Sequence, residues 1–172
     1  MILRNKMLII FIIFLIIMTA LYWLRPHSLF LLTLVPPSNL YDPLIEQSVS
    51  IERNGDFQSG QLTHLYVGTY LVGVYIEKPP AYGEHVRSNA VVRLSIADKN
   101  TLLLNKEFSS WVSRFGGPGE EQSGIILGYY KVPDNVSVGR AFSATFSVVS
   151  PDPLFEKKYG KVKFFIQRKS DQ

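Results

Sequence analysis

Residues that commonly carry out chemistry are few in this chain and widely separated. The chain contains no cysteine and three histidines, His27, His64 and His85. The lack of cysteine excludes disulfides, a thiolate nucleophile and cysteine-based zinc sites. No histidine has a second ligand at the spacing that a metal site uses, so the sequence predicts no metal site and no cofactor.

Two further stretches could in principle support catalysis or phosphate binding, but both fit a loop better. Glu120 and Glu121 are adjacent carboxylates, and general acid/base pairs need unequal environments that a solvated loop does not provide. Arg114–Gly124, RFGGPGEEQSG, is rich in glycine but lacks the lysine and the following helix of a phosphate-binding loop. No nucleophile-elbow motif occurs either, so we expect the protein not to be an enzyme.

One stretch has the composition of a binding site. In SSWVSRFGGPG (Ser109–Gly119), Trp111 and Phe115 flank Arg114. Aromatic residues with an arginine on a loop are frequent hot spots of protein interfaces. Tyr82, in a second loop, would join them if both loops lie at one end of the domain. The sequence therefore predicts a partner-binding loop of Trp111, Arg114, Phe115 and Tyr82, with the alternative that Trp111 is a core residue.

The first structural element that the sequence predicts is an apolar N-terminal helix. Met7–Leu24 has no charged residue. An α-helix of this length spans about 27 Å, close to the hydrocarbon thickness of a bilayer. A signal peptide usually has a shorter apolar core that ends in small residues, whereas MTA puts Met18 at the cleavage position. Tyr22 and Trp23 stand where interfacial aromatic residues belong. The sequence favours a retained transmembrane helix over a cleaved signal peptide.

Flanking charges predict the orientation of this helix. Arg4 and Lys6 precede it, and Arg25 follows it. The positive-inside rule then puts residues 1–6 in the cytoplasm and the C-terminal domain in the periplasm or outside the cell. This predicts a single-pass protein of the inner, cytoplasmic membrane.

Residues 25–46 follow the helix and combine an apolar patch with a proline-rich linker. The patch, Leu29–Val35, is too short to span a bilayer. Three places suit it: the membrane interface, an extension of the helix, or the surface of the domain. Pro36 and Pro37 end the patch and begin a segment whose composition is typical of an extended, stiff spacer.

From residue 47 to residue 170 the periodicity is that of β-strands. About seven short strands separated by turn residues are predicted, among them Val91–Ala97, Leu102–Phe108 and Ala141–Ser150. No segment of this part shows convincing helical periodicity. The pattern predicts a single antiparallel β-sandwich, Ig-like or jelly-roll-like, with a barrel as the structural alternative.

The charge of the chain gives little support to nucleic-acid binding. The chain has 18 Lys and Arg against 14 Asp and Glu, and Arg4, Lys6 and a cluster between Lys157 and Lys169 supply much of the excess. Basic residues that flank a solvated strand explain this cluster better than a nucleic-acid site. We therefore expect no nucleic-acid partner.

The domain carries five segments in a characteristic order: LYVGTYLVGVYIE, VVRLSIADKNTLLLNKEF, SSWVSRFGG, VPDNVSVGRAFSATFSVVSPDPLF and GKVKFFIQR. Over about Tyr41–Arg168 this order resembles an uncharacterised family of bacterial envelope proteins, known as a domain of unknown function. The resemblance implies a membrane-anchored or lipoprotein-like β-sandwich. It supplies no catalytic residue to transfer to this chain.

Together these features predict a membrane-anchored envelope protein whose extracytoplasmic β-sandwich is a non-catalytic interaction module. Its expected partners are the membrane, through the N-terminal helix, and a protein of the envelope. Two more specific functions stay open at this point. One is immunity against a toxin delivered to the periplasm, and the other is the binding of a small ligand or a glycan.

Overall fold

The computed structural model describes residues 2–81, 84–109, 111, 113–115, 123–133 and 136–170, apart from the side chains at 2–6, 8, 58–60, 113–115 and 123. The helices in this part are α1 (Ile2–Leu24), α2 (Leu29–Leu34) and α3 (Pro153–Tyr159), with a 3₁₀ turn over Arg25–His27. The strands are β1 (Pro43–Val49), β2 (Gly55–Thr63), β3 (Thr69–Ile76), β4 (Val91–Ala97), β5 (Leu102–Phe108), β6 (Ser113–Phe115), β7 (Ser123–Lys131), β8 (Ala141–Ser150) and β9 (Val162–Arg168).

The strands form two antiparallel sheets that pack face to face. One sheet has the order β1-β9-β3-β7-β6 and the other has the order β2-β8-β4-β5. The predicted all-β antiparallel sandwich preceded by one apolar helix is therefore confirmed. Where about seven strands were predicted, the described residues form nine.

The core lies between the sheets because alternate residues of the facing strands are apolar. In β8 the buried side chains are Phe142, Ala144, Phe146 and Val148. The ring of Phe146 lies 4.5 Å from that of Phe164 in the opposite sheet. These four residues alternate along the predicted strand Ala141–Ser150, so its periodicity identifies the buried face.

Strand β2 was not predicted. It begins at Gly55, and its residues do not alternate between apolar and polar. The strand lies at the edge of its sheet, and its register with β8 shifts between Gln58 and Gln61. An edge strand with an irregular register needs no strict alternation, which is why the pattern missed it.

Helix α3 contradicts the prediction that no helix follows residue 47. The Asp152 carboxylate caps it by accepting a hydrogen bond from the Phe155 N–H at 3.1 Å, and Pro153 occupies its first turn. Gly160 ends it at a φ of +79°, a left-handed conformation that favours glycine. Seven residues are too few to show a helical period, so the prediction was wrong.

The topology gives the sandwich two ends. Pro43 of β1 pairs with Gln167 of β9, so the first strand begins and the last strand ends at the same end. The loop 64–68 lies at this end too, and its Val67 N–H donates to the Pro26 carbonyl, just after α1, at 3.0 Å. We call this the helix-side end. The opposite end, which carries α3 and the segment 84–90, is the far end.

The segment between α1 and β1 is folded rather than extended. Residues 38–41 form turns, Leu32 of α2 and Leu40 are buried, and the Tyr66 hydroxyl donates to Asn39 Oδ1 at 2.7 Å. This differs from the predicted stiff spacer. The sandwich also begins earlier than predicted, at Pro43 rather than about residue 47.

Candidate functional site

Trp111, the centre of the predicted binding loop, lies in the core. It is 0% exposed, and its ring packs edge-on against Phe155 of α3 at 5.5 Å. A side chain with no exposed surface does not contact a partner, so the structure corrects the prediction in favour of the alternative role. Arg114 and Phe115 belong to β6, but their side chains lie outside the described part of the chain, as does the whole of Tyr82.

A cleft lies at the far end, beside the residues that Trp111 supports. It encloses about 310 Å³ between α3 and the segment 84–90. Phe155 and Tyr159 of α3 are buried, and their rings lie 4.8 Å apart at its inner side. The cleft is lined by His85, Arg87, Asn89, Asp152, Leu154, Phe155, Lys158 and Tyr159.

The segment 84–90 forms one wall of this cleft. Buried and exposed side chains alternate along it. The Ser88 hydroxyl and the Asn89 N–H donate to Asp152 Oδ2 at 2.9 and 2.8 Å, so the residue that caps α3 also holds this wall. The exposed side chains, which share one side of the segment, are His85, Arg87 and Asn89.

Both oxygens of the Asp152 carboxylate accept hydrogen bonds in these contacts. Burial raises its pKa, but the hydrogen bonds from the Asn89 and Phe155 N–H groups and from Ser88 outweigh that effect and lower the pKa below its usual value. Asp152 is therefore ionised at neutral pH. Its function in the described structure is to connect the two walls of the cleft.

Glu84 is engaged in the same way at the edge of the cleft. It forms an ion pair with Lys158 and accepts hydrogen bonds from the Tyr159 hydroxyl at 2.8 Å and the Ala81 N–H at 2.9 Å. The hydrogen bonds from Lys158, Tyr159 and Ala81 lower the pKa of Glu84 to about 2. A carboxylate with so low a pKa is a poor general base at neutral pH.

Arg87 differs from these residues because no acidic group in the described part of the chain pairs with it. Within the described ranges, its guanidinium forms no ion pair, and the side chains of His85 and Asn89 have no hydrogen-bond partner. Leu154 is 76% exposed at the same cleft. This combination suits a ligand that carries a carboxylate next to an apolar group, because a free guanidinium binds carboxylates with two parallel hydrogen bonds.

The helix-side end buries a polar cluster that the sequence did not reveal. His64 is 1% exposed, its Nε2 lies 2.7 Å from the Tyr130 hydroxyl, and its ring packs edge-on against Tyr70 at 4.7 Å. Burial lowers the pKa of His64 to about 4 and raises that of Tyr70 to about 12. All three side chains are therefore neutral at neutral pH. The described residues include no group of three or more His, Cys, Asp or Glu that could hold a metal ion.

Arg168 lies in the same region and corrects another prediction. The basic residues near the C-terminus were expected on a solvated strand, but Arg168 is 3% exposed. Its Nε donates to the Val67 carbonyl at 3.2 Å, and Gly68, at a φ of +136°, leaves room for the guanidinium. Arg168 therefore fixes the loop that contacts the end of α1.

The N-terminal helix α1 has few contacts with the sandwich. The span Ile9–His27 is long and apolar enough to cross a membrane, and none of its most apolar part is buried within the protein. Both membrane anchors and signal sequences have this character.

The comparisons with known proteins bear on the fold. No protein-family model matches the chain, and no curated protein matches it. The chain is similar in fold to the protein GEBA250068378 from Sulfurospirillum deleyianum, whose crystal structure it matches with a TM-score of 0.51 at 5% sequence identity. The match covers 76% of this chain and 99% of that chain. At this identity the likeness supports the fold alone.

Proposed function

We propose that the protein is a membrane-anchored, non-catalytic interaction module of the bacterial envelope. In this proposal α1 stays in the inner membrane, and the far end of the sandwich binds a protein partner outside the cytoplasm. The observation that carries the proposal is the cleft at the far end, because it presents hydrogen-bond donors that have no partner among the described residues, at the end of the domain opposite α1.

The charges on either side of α1 support this orientation. Arg4 and Lys6 precede the apolar run, whereas Arg25 follows it. The greater number of positive charges on the N-terminal side favours a cytoplasmic N-terminus. With that orientation the sandwich lies in the periplasm or outside the cell, and the far-end cleft faces away from the membrane.

The surface of the cleft favours a protein partner over a glycan. Its aromatic residues, Phe155 and Tyr159, are 3% and 4% exposed, so they offer little surface on which a sugar ring could stack. Arg87 and the exposed Leu154 instead match an acidic side chain beside an apolar one. A toxin neutralised by an immunity protein would be one partner of this kind.

Photo-crosslinking in the native membrane tests the proposal. A photoreactive amino acid replaces Leu154 in the full-length chain. In a control variant the same amino acid replaces Leu102, which is 63% exposed but begins β5 at the helix-side end. We expect a discrete adduct from the position of Leu154 and none from that of Leu102.

A charge reversal then identifies the contact. Arg87→Glu should weaken the adduct at least about tenfold, since like charges facing each other cost more than about 1.4 kcal/mol. Arg53→Glu is the matched control because Arg53 is exposed in the turn before β2, at the far end, and does not line the cleft. Equal adducts in the two variants, or an adduct from Leu102 alone, would contradict the proposed site.

A further inference from the structure

We infer that α2 and the last turns of α1 form one apolar surface that sits in the interfacial region of the bilayer, so that the sandwich is held against the membrane. This rests on the proposal that α1 is a transmembrane anchor. It goes further because it assigns a lipid contact to residues beyond the anchor. It also predicts that the domain has a fixed orientation relative to the membrane.

The first observation is that α2 folds back along α1. Met18 and Leu21 of α1 and Leu31 and Leu34 of α2 line a common cavity of about 160 Å³. At a rise of about 1.5 Å per residue, Met18 lies about 9 Å before the end of α1. The return segment therefore runs at the depth of the last two turns of the anchor, rather than away from the membrane.

The second observation is the composition of the outer face of α2. Phe30 is 72% exposed and Leu34 is 65% exposed, while Leu32 on the opposite side is 1% exposed. Leu29 and Val35 are also exposed. Water is an unfavourable solvent for so many large apolar side chains in one short segment, whereas the boundary between headgroups and acyl chains suits them.

The third observation is that the turn between α1 and α2 is hydrogen-bonded to the sandwich. Leu32 is buried, and Pro26, between the two helices, accepts the hydrogen bond from the Val67 N–H. Val67 belongs to the loop that Arg168 holds. A membrane contact of α2 therefore positions the whole domain.

The residues beside this surface suit the level of the headgroups. Tyr22, Trp23, Arg25 and Tyr66 line a second cavity, of about 340 Å³, where α1 ends. Aromatic side chains with a polar atom favour the interface of a bilayer, and an arginine reaches its phosphates. Continuity with α1, at the same depth, is what points to lipid as the occupant of the α2 face.

Site-directed spin labelling tests this inference directly, because the chain has no cysteine of its own. Full-length proteins with Phe30→Cys, Ile13→Cys or Leu154→Cys are labelled with a nitroxide. They are reconstituted into vesicles of phosphatidylethanolamine and phosphatidylglycerol. Collision with oxygen, which concentrates in the bilayer, is compared with collision with a water-soluble nickel complex.

We expect the label at Ile13 to collide mainly with oxygen and the label at Leu154 mainly with nickel. The label at Phe30 should favour oxygen, at a shallower depth than that at Ile13. Leu34→Asp, which puts a charge on the same face, should shift the label at Phe30 towards nickel and leave the label at Ile13 unchanged.

Each other outcome is decisive. A label at Phe30 that behaves like the one at Leu154, with Ile13 still in hydrocarbon, would overturn the inference but leave the anchor intact. A label at Phe30 shielded from both reagents would show that protein covers the face, which also overturns it. Access of nickel to Ile13 would overturn the anchor itself, and the inference with it.

Discussion

Acidification should destabilise the domain through His64. Its pKa is about 4 in the folded state against 6.5 when exposed, and burial is the cause. Between these values the unfolded chain binds a proton that the folded chain does not. The contribution of the neutral histidine is therefore complete above pH 6.5 and decreases as the pH falls towards 4. The gap corresponds to about 3 kcal/mol of unfolding free energy, at about 1.4 kcal/mol per pH unit.

Urea unfolding of the full-length protein in detergent, from pH 7 to pH 4, measures this effect. His64→Gln is the control because glutamine does not titrate yet can still hydrogen-bond the Tyr130 hydroxyl. The variant should be less stable at pH 7, and its deficit relative to the wild type should shrink by about 3 kcal/mol by pH 4. Carboxylates such as Glu84 titrate in both proteins, so their effect cancels in the difference. A difference that stays constant over this range would refute the burial of a neutral histidine.

Five further substitutions test the packing of the sandwich. Phe146→Ala should lower the unfolding free energy by about 3–5 kcal/mol, while Ser147→Lys should be mild; the reverse ranking in urea unfolding would mean that the β8 register is off by one residue. Trp111→Ala should lower the melting temperature by at least about 10 °C, and an unchanged melting temperature would return Trp111 to the surface. Gly73→Ala should cost about 1–3 kcal/mol, because a Cβ there would lie 2.5 Å from a neighbouring ring carbon, whereas Gly55→Ala, with its nearest neighbour at 4.0 Å, should be nearly neutral.

The strands that the sequence predicted well are those with one buried face. β4 and β8 have the predicted bounds, because alternation along a half-buried strand is a local property that a sequence pattern records. β5 also has the predicted bounds, although its burial does not alternate. Edge strand β2 lacks this alternation. Helix α3 did have a local signal, in the order Asp152, Pro153 and Gly160, which is typical of the start and end of a short helix.

The candidate site was not predictable in the same way. Its walls come from residues 84–90 and from α3, which lie far apart in the sequence and meet through Asp152. In the sequence, Trp111 stands among residues that are typical of a binding hot spot. Its role in the core, where it packs against Phe155 of α3, is visible only in the structure. The burial of His64 likewise depends on Tyr70 and Tyr130, which come from other strands.

The fate of the apolar patch after α1 was open for a related reason. A run of apolar residues indicates that a segment leaves water, but it does not indicate whether protein or lipid receives it. In the structure Leu32 is buried and Phe30 is exposed, so the two sides of α2 have different surroundings. The sequence does not show which side of α2 is buried, because that depends on the hydrogen bond from the loop 64–68 to Pro26.

The most direct test of the account is the accessibility of the far end in intact cells. A full-length protein with Leu154→Cys is produced in spheroplasts and treated with a maleimide that does not cross membranes, and the membranes are then washed with alkaline carbonate. The account predicts complete labelling before lysis, on a protein that stays in the membrane pellet with α1 attached. Protection of the cysteine until lysis, or its recovery on a soluble product that lacks α1, would contradict a membrane-anchored module whose far end faces away from the cytoplasm.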